Sequence, residues 1–139
     1  MKDFKFYTEA RVRFCETDLQ GILHHSRHFQ YFEVGRVEYM RNLKLIENND
    51  FVGPATVTIV ESGAKYLATL KFDETFKIYV RISELKGASM VFEYKLVKGS
   101  DEIAAEGFTR CATINRKTFK PVRMPDIWRK KITKFEKFD

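Results

Sequence analysis

The sequence predicts an α+β domain in which one long helix lies against a face of a five-stranded antiparallel sheet. Three observations carry this reading. Apolar residues recur at three- and four-residue steps through 27–45, the spacing of a helix. Apolar and polar residues alternate as in strands before that run, at 4–15, and after it in segments between 56 and 115. Gly-containing turn signals join the later segments, so they follow one another as an antiparallel meander.

Taken in order, residues 4–15 are extended, with Ala10, Val12 and Phe14 set against Arg11 and Arg13. Residues 16–25 break the alternation with Asp18 and Gly21 and read as a loop. The helix is expected over 27–45, with Phe29, Phe32, Arg36, Tyr39, Met40 and Leu43 as its stripe and Ser26 as its N-cap. Gly35 inside it costs about 1 kcal/mol against Ala, which marks a place where a strand approaches closely. Residues 46–53 read as a polar connection. Strands are expected at 56–68, 74–86, 89–98 and 102–115. Ile78, Val80 and Ile82 alternate with Tyr79, Arg81 and Ser83, and Met90, Phe92, Tyr94 and Leu96 face one way. Lys86-Gly87-Ala88 and Lys98-Gly99-Ser100-Asp101 supply hairpin turns. Gly107 in the last strand predicts a bulge or a close backbone approach. Pro125 followed by Asp126-Ile127-Trp128 reads as the start of a short C-terminal helix. One helix covers only one sheet face, so the other face and any open edge strand predict a partner subunit.

The 139 residues suit one domain, 1–139, without internal repeats or linkers. Thirteen Phe and six Tyr predict an aromatic-heavy core. The apolar runs fall far short of the roughly 20 residues that cross a bilayer, and Met1-Lys2-Asp3-Phe4-Lys5-Phe6 holds no secretory h-region. A soluble cytoplasmic protein with no membrane span is the expectation. Cys15 and Cys111 are too few for a disulfide framework and are expected as buried thiols on strands. The net charge of +6 suits polyanions such as nucleic acid, anionic lipid or a phosphorylated cofactor, and a solvated Lys-rich surface is the commonest source of such a charge. RNP, KH, zinc-finger and helix-turn-helix signals are missing, which argues against a nucleic-acid partner.

The segment that bears on chemistry is 16–41. An Asp and a Gly sit in a loop that feeds directly into a helix, whose N-terminus offers free N–H groups and partial positive charge. Such a place suits a developing oxyanion, and an adjacent carboxylate can attack a carbonyl or activate water. Gly21 lets the loop turn tightly and brings backbone close to a ligand. His24, His25 and His28 beside Glu16 and Asp18 raise a metal site, but these are all the histidines of the chain and no HExxH pattern is present, so no metal and no cofactor is expected. Glu33 and Arg36 suit an ordinary helical ion pair. Glu61 and Ser62, on the strand facing this region, are candidates for substrate contacts and suit an exposed strand as well.

Thr17-Asp18-x-x-Gly21-Ile22-Leu23-x-His25, followed by Phe32-Glu33-x-x-Arg36-x-Glu38-Tyr39-Met40, resembles the 4-hydroxybenzoyl-CoA thioesterase family of hot-dog proteins. The likeness continues more weakly through Tyr66, Phe72-Asp73-Glu74, Ala105-Glu106-Gly107, Lys120-Pro121 and Met124-Pro125, and so spans nearly the whole chain. The resemblance implies an antiparallel sheet wrapped around the long helix, and acyl-CoA thioesters as substrates with no metal. It also implies a homodimer pairing into a homotetramer, with active sites at subunit interfaces. It implies Asp18 as the catalytic carboxylate and the His25 backbone N–H as the oxyanion donor, with Gly21 and His24 beside the substrate. The His25 ring is placed to orient the carboxylate or the substrate. The chain departs from the family pattern at Phe14, where Tyr is usual, at Arg27-His28 for Asn-Tyr, at His24, and at Thr69 for Pro. These positions bear on the acyl group. A non-catalytic module that binds acyl-CoA or acyl-carrier protein on the same fold is the alternative.

Overall fold

The computed structural model describes residues 2–138; Met1 and Asp139, the outermost residues of the predicted domain, lie outside them. The elements in chain order are β1 (Phe6–Arg11), a 3₁₀ turn (Phe14–Glu16), a second 3₁₀ turn (His25–Arg27), α1 (His28–Asn42), β2 (Ile46–Glu47), β3 (Asp50–Phe51), β4 (Ala55–Tyr66), β5 (Thr75–Leu85), β6 (Ser89–Lys98), β7 (Ile103–Asn115) and α2 (Asp126–Glu136). Five strands form one antiparallel sheet in the order β1-β5-β6-β7-β4, and β2 pairs with β3 as a separate two-stranded hairpin.

The alternation does what it predicts. Phe76, Ile78, Val80 and Ile82 of β5 and Met90, Phe92, Tyr94 and Leu96 of β6 are all buried. Against them α1 sets Tyr31, Phe32, Gly35, Arg36, Tyr39 and Met40. Aromatic rings dominate the contact: Phe32 stacks on Tyr94 at 4.7 Å, and Tyr39 meets Phe92 edge-on at 5.8 Å. Gly35 is where the helix meets the sheet, since a Cβ there would lie 2.6 Å from Ile78 Cγ2 and 2.8 Å from Val80 Cγ2. Gly107 admits Phe32 in the same way, its Cβ position being 2.3 Å from that ring. Arg36 is buried and donates to the Tyr94 hydroxyl at 3.0 Å, with the exposed Glu33 carboxylate 3.9 Å away.

Helix α2 buries Trp128 and Ile132, and the Trp128 indole donates to the Val52 carbonyl at 2.8 Å. Near its end Glu136 accepts from the Tyr39 hydroxyl at 2.5 Å and from the Ile82 N–H at 2.9 Å, where β5 shifts register against β6. No helix among the described residues is long and apolar enough to cross a membrane.

Several expectations are corrected. Strand β1 stops at Arg11, because residues 14–16 close a 3₁₀ turn, and this places Cys15 on the surface; only Cys111 is a buried thiol. Ser26 is not the cap of α1: a 3₁₀ turn precedes the helix, and the His24 ring caps that turn by accepting from the Ser26 N–H at 3.2 Å. Phe29 faces outward at 37% exposure, and His28 and Tyr31 take the buried places instead. The connection 46–53 contains the β2–β3 hairpin, whose turn residues Asn48 and Asn49 adopt φ of 53° and 63°.

Strands β1 and β4 are the two edges of the sheet. Along β4, Thr58, Val60 and Ser62 are exposed while the β7 residues Thr109, Cys111 and Thr113 are buried. A bulge interrupts the β4–β7 pairing between Ile59 and Glu61. An uncovered edge of this kind is open to pairing with another chain.

Candidate active site

The segment from β1 to α1 is tied together at its base. Glu16 is buried at 3% exposure. Its carboxylate accepts from the Arg13 N–H at 2.9 Å, from the Arg13 guanidinium at 3.0 and 3.2 Å, and from the Tyr31 hydroxyl on α1. Its carbonyl accepts from the His24 N–H at 2.9 Å. Burial opposes the charge on Glu16, but the bonds from Tyr31 and Arg13 outweigh it and hold the carboxyl below its ordinary range. Burial and the same contact raise the Tyr31 hydroxyl well above its usual value.

Above this base, residues 17–23 fold back on themselves. Thr17 bridges Leu23, the Asp18 N–H donates to the Ile22 carbonyl at 3.0 Å, and the Gly21 N–H donates to the Asp18 carbonyl at 3.0 Å. Gly21 has φ +75° with open space around its Cβ position, so glycine is needed there for backbone conformation and not for clearance. The Gly21 carbonyl and the Leu23 N–H in turn bond to Phe72 and Leu70, which fixes the loop to the segment leading into β5. Asp18 stands exposed at this turn. One carboxylate oxygen accepts the Gln20 N–H at 2.8 Å, which orients the group and leaves its other oxygen open.

Beyond the loop, the His25 carbonyl is held by two side chains. The Tyr66 hydroxyl at the end of β4 donates to it at 3.1 Å, and His28 Nδ1 lies 3.2 Å from it. A carbonyl oxygen only accepts, so Nδ1 of His28 carries the proton. Burial lowers the His28 pKa and keeps that ring neutral. The rings of His24 and His25 lie 4.3 Å apart, and His28 meets Tyr66 edge-on at 4.7 Å. No acceptor among the described residues takes the N–H of His25. Loop and helix start thus present an oriented carboxylate and an open backbone donor from one hydrogen-bonded segment, a pairing suited to acyl transfer.

Of the residues singled out in the sequence, Asp18 and Gly21 are joined in the turn of this loop, and His24 and His25 stack together at the entry to α1. Glu61 and Ser62 do not join them within the chain. Both are exposed on β4, Glu61 pairs with Arg110 at 3.4 Å, and among the described residues no hydrogen bond links either to the loop. Phe14, where a phenol would offer a hydroxyl, is exposed and meets Phe72 edge-on at 5.5 Å. The sequence raises Glu16 only as a metal candidate and does not single out Tyr31, although the Arg13-x-x-Glu16 spacing is that of a residue reaching back to cap its own turn. No group of three or more His, Cys, Asp or Glu among the described residues is placed to hold a metal ion. A cavity of about 450 Å³ lies elsewhere, between Phe4, Gly63, Lys65 and Phe108.

A model of the thioesterase-like superfamily matches residues 12–132. A Haemophilus influenzae protein named acyl-CoA thioesterase YbgC is 28% identical over 126 residues, which cover 90% of this chain and 92% of its own. A solved structure from Aquifex aeolicus superposes with a TM-score of 0.84 at 28% identity and covers 91% of this chain and 98% of its own. A DHNA-CoA thioesterase from Staphylococcus aureus superposes with a TM-score of 0.81 at 24% identity, a likeness of fold that covers 94% of this chain and 90% of its own.

Proposed function

Since this chain belongs to the thioesterase-like superfamily and has its hot-dog fold, we propose that it hydrolyses an acyl-CoA thioester to the free acid and CoA. Asp18 is the catalytic carboxylate and the His25 N–H the oxyanion donor. What supports this reading is that an exposed Asp18, oriented by the Gln20 N–H, and an open His25 N–H belong to one hydrogen-bonded segment.

A thioester carbonyl is already electrophilic, so the site must supply a nucleophile and a place for negative charge. Either Asp18 attacks the carbonyl carbon to give an anhydride that water then opens, or it takes a proton from the water that attacks. In both routes the carbonyl oxygen gains charge beside the His25 N–H, the C–S bond breaks, and CoA leaves as the thiol. Gly21 and His24 border the reacting group. Two chains pair through the open β4 edge into a dimer, and dimers pair into a tetramer. In that assembly Glu61 and Ser62 lie at the subunit interface and contact substrate there.

The test is release of CoA thiol from a panel of aromatic, short and long acyl-CoA substrates, with Asp18→Asn alongside and light scattering to report the oligomer. The expected result is turnover by the wild type and a loss of kcat of at least about 100-fold in the variant, with the assembly unchanged. Equal rates in the two proteins would overturn the assignment. Saturable acyl-CoA binding without thiol release would replace it with the non-catalytic binding module.

A further inference from the structure

Glu16 lies two residues before Asp18, and its two polar ends hold two different parts of the site. The side chain is a buried carboxylate, which is costly unless every oxygen is bonded. Here the cost is met by three N–H bonds from Arg13 and by the Tyr31 hydroxyl, which also lies 3.1 Å from the Arg11 carbonyl. The end of β1, the first turns of α1 and the root of the loop therefore meet at one anion. The carbonyl of the same residue takes the His24 N–H at 2.9 Å. That bond closes the loop one residue before the His25 N–H.

We propose that Glu16 is a positioning residue for thioester hydrolysis: by gripping Tyr31 and Arg13 with its carboxylate and His24 with its carbonyl, it sets Asp18 against the His25 N–H. The inference rests on the thioesterase reading of the site. Glu16 itself is sealed from solvent and takes no part in bond making. Its effect is geometric, and a displacement of about 1 Å at a reacting pair is enough to cost roughly 100-fold in rate.

The experiment is steady-state kinetics on the full chain with the acyl-CoA that the wild type turns over best, comparing Glu16→Gln, Tyr31→Phe and Tyr39→Phe. Tyr31→Phe removes one bond to the carboxylate and keeps the ring against Phe76, 4.9 Å away, so it carries the test should Glu16→Gln fail to fold. Tyr39→Phe is the control: it removes the matching hydroxyl–carboxylate bond to Glu136, between α1 and α2.

The first two variants are expected to lose kcat by about 10- to 100-fold with KM within about threefold. Tyr39→Phe is expected to lose melting temperature but not kcat. A kcat for Glu16→Gln and Tyr31→Phe within about twofold of the Tyr39→Phe value would overturn the inference. Wild-type turnover that Asp18→Asn abolishes and Glu16→Gln leaves intact removes this inference alone. A wild type inert toward every acyl-CoA removes the thioesterase reading along with it.

Discussion

Gly35→Ala adds one methyl group at the closest approach of α1 to the sheet. Two effects oppose each other. In an isolated helix Ala is more stable than Gly by about 1 kcal/mol. In this helix the new Cβ would lie 2.6 Å from Ile78 Cγ2 and 2.8 Å from Val80 Cγ2, against a comfortable carbon–carbon separation of about 3.5–4.0 Å. Both neighbours are β-branched, fully buried and on a central strand, so neither can rotate its methyl away. The helix must instead lift by most of an ångström. Overpacking of this kind costs about 1–3 kcal/mol. With two methyls in the way the upper half of that range applies, which leaves a net loss of about 1–2 kcal/mol. For a domain of this size that is a fall in Tm of roughly 3–8 °C. Thermal unfolding followed by far-UV circular dichroism, at one protomer concentration, reads the effect directly. Val80→Ala removes one of the two obstructing methyls, so Gly35→Ala should cost less in that background by at least about 0.5 kcal/mol. A Tm at or above that of the wild type, or the same loss in both backgrounds, would refute the reasoning.

Glu16 sets an acid dependence. Its pKa in the fold is below the ordinary 4.5, so its bonds add stability above that value, and the contribution is lost as pH falls through the folded pKa. Urea midpoints between about pH 7 and pH 3 should converge for wild type and Glu16→Gln at the acid end, and parallel curves would contradict the assignment. The two cysteines should separate by exposure: a thiol reagent should modify Cys15 in the native protein and reach Cys111 only on unfolding. Two fast-reacting thiols in the native protein, counted by mass spectrometry, would count against the burial of Cys111.

The sheet was legible because its signals are redundant. Met90, Phe92, Tyr94 and Leu96 alternate over the same stretch that the Gly87 and Gly99 turns delimit, and the strand bounds follow to within a residue or two. Gly35 and Gly107, glycines inside regular elements, both marked close approaches. The start of α1 was harder to read. Ser26 has the chemistry of a cap, but a histidine ring supplies the bond one turn earlier, and imidazoles are not among the residues that the capping pattern favours. The β2–β3 hairpin is too short to show alternation; the paired Asn48-Asn49 turn was its only trace. At the site, Asp18 and Gly21 stand out because a loop of that composition before a helix is a local signal. The Glu16–Tyr31 contact joins residues 15 apart through burial, which no local pattern records. Glu61 and Ser62 depend on which surface the edge strand presents, and that lies outside a single chain's pattern.

The segment between Arg11 and Tyr31 settles most of its polar groups within itself, from the Tyr31 contact with the Arg11 carbonyl to the Arg27 N–H on His24. From outside it draws mainly on Leu70, Phe72, Asp73, Glu74 and the Tyr66 hydroxyl. On the proposed assignment, the reacting carboxylate is thereby insulated from the long edge of the sheet. Substitutions along β4 short of Tyr66 can reshape what that edge meets while every bond that holds the carboxylate in place stays as it is. With Asp18 as the proposed catalytic carboxylate and β4 as the proposed interface, such a layout lets selectivity drift from one descendant to another without rebuilding the chemistry.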